Sequence, residues 1–74
     1  MSTKEKISIK FGKRVRDFRK YKKLSQQELA DLADMHRTYI SMIERAEKNI
    51  SLYGIKRLAD ALEMKVTELI GENL

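Results

Sequence analysis

Residues 25–45 read SQQELADLADMHRTYISMIER, and this stretch decides the fold because it divides into two short helices with a break between them. Ser25 and Glu28 form an S-x-x-E capping box, in which the serine oxygen accepts the amide of Glu28 and the glutamate reaches back to Ser25. The stretch therefore opens with a well-capped helix. The inward face of this helix carries three apolar side chains, Leu29, Ala30 and Ala33.

The second helix of the stretch runs from about Arg37 to Arg45, and its outward face is unusual for a solvated helix. Asp34 is expected to adopt the left-handed conformation in the break, which aspartate tolerates better than most non-glycine residues. Ile40 and Ile43 point inward. Two helices joined by a short turn, the second with a polar outward face, describe a helix-turn-helix that presents this face to a DNA major groove. The outward side chains are Arg37, Thr38, Tyr39, Ser41 and Met42.

The rest of the chain predicts three more short helices, so the expected fold is a compact all-α domain of five helices. The first helix runs from about 8 to 21, the fourth is capped by Ser51, and a short last helix opens at Thr67 with Glu68. The whole chain, 1–74, then forms a single domain, with 1–7 as a flexible arm. The apolar stripes are Phe11, Val15 and Phe18 in the first helix and Leu52, Ile55, Leu58, Ala59 and Leu62 in the fourth.

Charge is distributed unevenly along the chain, whose net charge is +5. Residues 1–24 hold ten Lys and Arg against two acidic residues, whereas residues 25–74 hold six against nine. A basic segment on a mildly acidic body indicates a polyanionic partner, with nucleic acid first and an anionic membrane second. Solubility alone is the simpler explanation of the same charge.

Composition argues against several other classes of protein. The chain has no cysteine and a single histidine, which excludes disulfides and nearly excludes a structural zinc site, since zinc needs four N, S or O ligands. No nucleophile–base pair, carboxylate pair or phosphate-binding glycine loop is visible, so neither an enzyme nor a cofactor or small-molecule site is expected. No apolar run approaches the roughly 20 residues of a membrane span, and the N-terminus lacks the apolar stretch of a signal peptide. A cytoplasmic location is therefore expected.

The chain resembles the phage-repressor (Cro/C1, XRE) type of helix-turn-helix over nearly its whole length. Gln26, Ala30, Ile40 and Ile43 stand in the register of that motif. More narrowly, HRTYISMIERAEKNIS at residues 36–51 is similar to the controller proteins of restriction–modification systems, which are small dimeric transcription regulators. The chain departs from the family pattern at three positions where members often have glycine, namely Lys23, Asp34 and Ala46.

The resemblance also implies a role for particular side chains. Arg37 would start the recognition helix, where a guanidinium can bond guanine O6 and N7 together. Arg19 and Glu44 match a family ion pair that ties the first helix to the third, the alternative being two independent surface charges. The implied base contacts are Arg37, Thr38, Tyr39, Ser41 and Met42. The implied phosphate contacts are Ser25, Gln26, Gln27, His36, Arg45, Lys48 and Asn49.

The partner implied by this resemblance is a double-stranded DNA operator, read by a homodimer. One recognition helix reads only a few base pairs, whereas two helices about 34 Å apart read a pseudo-palindrome. Tyr53, Ile70 and Leu74 are the expected dimer seam. The expected function is a controller protein that activates and represses its own promoter, with RNA polymerase as an open further partner. The alternatives are a phage-type repressor, an antitoxin-like regulator, or a module whose third helix binds a protein.

Overall fold

The computed structural model describes residues 1–71, which fold into five α-helices around a single hydrophobic cluster. Helices α1 and α2 pack on α3, α4 packs behind α2, and α5 closes the domain against α1 and α4. The described residues contain no strand. The predicted all-α fold of five helices is confirmed. The helices are α1 (Thr3–Tyr21), α2 (Gln26–Ala33), α3 (Arg37–Glu44), α4 (Leu52–Ala61) and α5 (Val66–Ile70).

The core is built from the apolar faces that the periodicity predicts, with one exception. Leu52 was expected in the stripe of α4, but that placement is wrong, since its side chain is 75% exposed. At 100° per residue, the buried face of α4 is centred about a quarter turn away from Leu52. The fully buried large side chains are Val15, Leu29, Ile40, Ile43, Leu58, Leu62 and Leu69.

The N-terminal segment is helical rather than a flexible arm, so the expectation for 1–7 is wrong from Thr3 onward. Ser2 is the N-cap of α1, and its Oγ accepts a hydrogen bond from the Glu5 amide at 3.2 Å. The carboxylate of Glu5 also lies in the first turn, where it suits the positive end of the helix dipole. No glycine or proline precedes Gly12, so nothing local interrupts the helix.

Four helices end in the same way, on a non-glycine residue in the left-handed conformation. At the end of α2, the amide of Met35 donates to the carbonyl of Ala30 at 2.9 Å, and the other three ends close with the same six-residue loop. The left-handed conformation predicted for Asp34 is confirmed. The four residues are Lys23, Asp34, Ala46 and Glu63, with φ between 54° and 60°.

Replacing Ala46 with glycine should stabilise the protein by about 1 kcal/mol, because the alanine Cβ is disfavoured in a left-handed conformation that glycine adopts freely. Urea denaturation of the two proteins measures the difference. Ala61→Gly is the matched control, since Ala61 lies in the right-handed helix α4 and should lose stability instead. A loss of stability in Ala46→Gly would contradict the left-handed geometry of this helix end.

Two glycines are required by close packing rather than by backbone conformation. A Cβ on Gly12 would overlap the carbonyl oxygen of Ile43, so α1 and the end of α3 pack backbone against backbone. A Cβ on Gly54 would lie 2.7 Å from Cγ1 of Ile50, which accounts for a glycine in the first turn of α4. The first contact fixes the depth at which α3 sits in the domain.

Candidate nucleic-acid interface

Helix α3 turns one face into the core and leaves the other at the surface. Ile40 and Ile43 are buried against α1 and α2. On the opposite side, Arg37 and Thr38 are exposed at the first turn of the helix. Within residues 1–71, the side chain of Arg37 has no hydrogen bond or ion pair, so its guanidinium is available to a ligand.

The other three predicted base-contacting residues are less exposed. Ser41 and Met42 are half-buried. Tyr39 packs partly against the core, and the Nζ atom of Lys48 lies 6.0 Å from the centroid of its ring. The structure therefore presents Arg37 and Thr38 most openly.

His36 is the N-cap of α3. Its Nδ1 accepts a hydrogen bond from the Thr38 amide at 3.2 Å, which requires that Nδ1 carry no proton. The proton of the neutral ring is then on Nε2, which can donate to an external acceptor. The sequence resemblance assigns His36 to a phosphate, and the side chain is exposed beside Arg37.

The N-terminus of α2 carries the predicted capping box. Ser25 Oγ accepts from the Glu28 amide at 3.0 Å, and the Ser25 amide donates to Glu28 Oε1 at 2.9 Å. The bond from the Ser25 amide to the Glu28 carboxylate, and after it hydrogen bonding with the Ser25 side chain, lower the pKa of Glu28 below its ordinary value. The stabilisation is therefore present above the ordinary pKa of a glutamate and is lost as the pH falls through the lowered one. Gln27 is also engaged, because its Nε2 donates to Asp31 Oδ1 at 2.8 Å.

Arg19 and Glu44 meet as a bidentate ion pair that joins α1 to the end of α3. Nε and Nη2 of Arg19 lie 2.7 and 3.0 Å from the two carboxylate oxygens of Glu44, and the two side chains are only 10% and 4% exposed. The pKa of Arg19 is raised, chiefly by the hydrogen bond to Glu44, which stabilises the charged guanidinium. Arg19 Nη1 also donates to the Leu24 carbonyl at 2.8 Å.

Gln26 extends this ion pair into a three-helix connection. Its Nε2 donates to Glu44 Oε1 at 3.2 Å, so α1, the start of α2 and the end of α3 share one carboxylate. The sequence resemblance assigns Gln26 to a phosphate, and its role in this network was not predicted. The network holds the start of α2 at a fixed position relative to α3.

The loop after α3 supplies further polar and basic side chains. Arg45 pairs with Glu47 at 3.1 Å, and both side chains are more than half exposed, so the pair costs little to open. Lys48 and Asn49 are exposed beside it. A cleft of about 440 Å³ next to Arg45 is lined by further cations from α1, namely Lys13, Arg16 and Lys20.

The predicted dimer seam is only partly exposed. Tyr53 is 71% exposed and its neighbour Leu52 is exposed as well, so the start of α4 presents an apolar surface. Ile70 is half-buried, and Leu74 lies outside the described residues. The guanidinium of Arg57 stacks on the Tyr53 ring with Cζ 5.4 Å from the centroid.

Residues 1–71 hold no cluster of histidine and acidic side chains that could bind a metal ion. In the same part of the chain, every helix is too short or too polar to cross a membrane.

Comparison with known proteins gives one consistent picture. A family model described as helix-turn-helix matches residues 15–69. The control protein C.BamHI of Bacillus amyloliquefaciens is 43% identical over 65 residues, which are 86% of this chain and 80% of that protein.

Two solved structures share the fold. The restriction–modification controller protein C.AhdI from Aeromonas hydrophila has a TM-score of 0.82 and 44% identity, covering 84% of this chain and 94% of that one. SinR, a master regulator of biofilm formation solved in complex with DNA, has a TM-score of 0.78 and 32% identity, covering 82% and 98%.

Proposed function

The chain belongs to the helix-turn-helix family, and on this premise we propose that it is a sequence-specific DNA-binding transcription regulator that acts as a homodimer on a pseudo-palindromic operator. The observation that carries the proposal is the exposed guanidinium of Arg37 at the start of α3. A buried ion-pair network that holds α3 from behind and an exposed, unpaired cation in front of it are what a rigid reader of base edges requires.

Base reading is assigned to the exposed face of α3. Arg37 can donate two bonds to guanine O6 and N7, and Thr38 can offer a hydroxyl to a base or a methyl group to thymine. Tyr39, Ser41 and Met42 are less exposed than these two residues, so we assign them a smaller share of the base contacts. We expect Arg37 to provide most of the discrimination.

Phosphate contacts are assigned to the two edges of this face. At one edge, the N-terminus of α2 offers free amides and the positive end of a helix dipole to an anion. Ser25 and Gln27 keep donor hydrogens for this purpose, because each is engaged at only part of its capacity. The remaining proposed phosphate contacts are Gln26, His36, Arg45, Lys48 and Asn49, which would set the register of the protein on DNA.

The homodimer is proposed on the exposed surface at the start of α4. Leu52 and Tyr53 leave more apolar surface open there than burial in a monomer explains. Ile70 and Leu74 complete the proposed seam. Two copies would place two recognition helices about one turn of DNA apart and combine their contacts. In a bacterium this protein would act in the cytoplasm, where the DNA lies.

We assign the protein to the controllers of restriction–modification systems because control proteins recur among its relatives. A regulator bound beside a promoter can recruit RNA polymerase, and one bound over the start site blocks it. A controller would do both at its own promoter as its concentration rises. SinR, a transcriptional regulator, supports a second assignment, in which the chain regulates genes other than its own.

Lys48→Ala should weaken operator binding evenly across sequences and reduce the salt slope of log Kd by about 1, because one phosphate contact is lost. Titration of a fluorescent duplex at several salt concentrations measures both quantities. Lys56→Ala is the matched control, since Lys56 pairs with Asp60 on α4 and should leave the slope unchanged. A changed base preference with an unchanged slope would contradict the phosphate role of Lys48.

The same titration separates DNA binding from the alternative of a protein-interaction module. Several Lys and Arg contacts to phosphates make DNA binding weaken steeply with salt. Absence of binding to any duplex at low salt would contradict the proposed function and favour a partner protein on α3.

A further inference from the structure

Arg57 of α4 makes contacts that the proposed DNA reading does not use. Its Nε donates to the Ala33 carbonyl at 3.0 Å, and its Nη2 donates to the Asp34 carbonyl. These carbonyls stand at the end of α2 and the start of the turn that leads into α3, residues 34–36. One side chain thus reaches across 24 positions of sequence to hold the turn of the helix-turn-helix.

The two carbonyls are among those that the backbone of this helix end leaves without partners. The loop closure at the end of α2 uses the carbonyls of Ala30 and Asp31. The last carbonyls of a helix need other donors, and a cation at this end also opposes the helix dipole. Arg57 supplies both. The Asp34 carboxylate contributes little, because it is 3.7 Å from Arg57 Nη2 and fully exposed.

The edge of the guanidinium donates these bonds, and its planar face stacks on the ring of Tyr53. The ring centroid is 5.4 Å from Arg57 Cζ, and the ring itself is 71% exposed. A cation–π contact strengthens when water is excluded from it. Any surface that covers Tyr53 will therefore tighten the hold of Arg57 on the turn.

We infer that Arg57 is a positioning residue for the recognition helix, and that pairing of two copies over Tyr53 tightens its hold on the turn, so that dimer formation and operator reading are coupled. This inference rests on the proposed homodimer. It links the proposed dimer surface at the start of α4 to the exposed face of α3. It predicts that the turn at residues 34–36 opens more often in a monomer than in a dimer.

Hydrogen exchange tests the coupling without any operator. The Met35 amide, which bonds to Ala30 across the turn, reports local opening, and the Leu62 amide, which bonds to Leu58, reports the rest of the domain. The ratio of the Met35 exchange rate to the Leu62 rate should fall about fivefold when protein concentration crosses the dimer transition seen by sedimentation. An unchanged ratio in a sedimenting dimer would overturn the inference alone. A protein that stays monomeric would contradict the proposed homodimer and the inference with it.

Variants locate the effect in the stacked pair. Tyr53→Phe keeps the aromatic face and should keep the concentration-dependent ratio, whereas Tyr53→Leu should lose it. If Tyr53→Leu fails to dimerise, Arg57→Ala takes its place, because it leaves Tyr53 available to the seam. The Arg57→Ala protein should dimerise, but its ratio of Met35 to Leu62 exchange rates should not change with concentration. A normal concentration response in an Arg57→Ala dimer would overturn the inference.

The duplex recovered by selection from a random library gives a second readout. Arg57→Ala should bind it about tenfold more weakly with an unchanged salt slope, because Arg57 bonds carbonyls and not phosphates. Arg57→Lys should recover part of the affinity through one remaining bond, and Lys56→Ala should match the wild type. A reduced salt slope in Arg57→Ala would show a direct phosphate contact and contradict a positioning role.

Discussion

Glu44→Gln is expected to lower the free energy of unfolding by about 3 kcal/mol, because it leaves the buried Arg19 guanidinium without its counter-charge. Both side chains are almost fully buried, and the pair is bidentate at 2.7 and 3.0 Å. Arg19 and Gln26 would then share the one amide oxygen that the substitution leaves, so the contact among three helices is weakened as well. A loss of this size is large for a small domain, whose total stability stands at the lower end of about 5–15 kcal/mol. Urea denaturation followed by circular dichroism measures it.

Two further variants test whether the loss of stability comes from leaving a buried charge unpaired. Glu47→Gln removes an exposed partner of Arg45 and should change stability by less than about 0.5 kcal/mol. The double variant Arg19→Met, Glu44→Leu should recover much of the loss, because a well-packed apolar pair can replace a buried ion pair. Glu44→Gln with wild-type stability would contradict a structural role for the pair.

Arg37→Ala is expected to cost about 1–3 kcal/mol of binding free energy per half-site and to relax the base preference at one position. The reason is that Arg37 is the exposed cation at the start of α3 and has no competing partner in residues 1–71. Folding should be unaffected, since the side chain contributes nothing to the core. Repeating the library selection with the variant measures the change in preference.

Arg45→Ala is the matched control for Arg37→Ala. It removes the same charge from the other end of the recognition helix, where a phosphate contact is proposed. Affinity should fall while the preferred sequence stays the same. If Arg37→Ala leaves the sequence preference unchanged, Arg37 does not read bases and the assignment of the recognition face is wrong.

Local patterns in the sequence were sufficient for most of the fold. The capping box at Ser25, the left-handed Asp34 and the inward isoleucines of α3 depend on neighbours within a few residues, and the structure confirms them. The first helix was predicted too short because the apolar stripe begins only at Phe11. The cap at Ser2 extends it without any contribution from that stripe.

Contacts between distant segments could not be predicted in the same way. Arg57 reaches the turn after α2 across 24 positions, and nothing in its local sequence marks it. The need for Gly54 depends on where Ile50 packs. The link between Gln26 and Glu44 likewise needs the angle between α2 and α3. Sequence resemblance supplied the pair Arg19–Glu44, which periodicity alone did not indicate.

In the candidate site, too, some features follow from local sequence and others depend on tertiary packing. Exposure of Arg37 and Thr38 follows from helical periodicity, because the buried residues Ile40 and Ile43 fix the opposite face. Tyr39 lies only about 40° around the helix from Ile43. Its ring leans on the core beside Lys48, so it faces outward less than predicted. The sequence therefore predicted which helix faces outward, while the structure ranks the side chains on it by how openly they are presented.

Selection of binding sites from a random duplex library at near-physiological salt tests the central claim most directly. A homodimer that reads bases through α3 will enrich a pseudo-palindrome whose half-sites are about one helical turn apart. Binding that is sensitive to salt but enriches no sequence would contradict the claim, because α3 would then contact only phosphates.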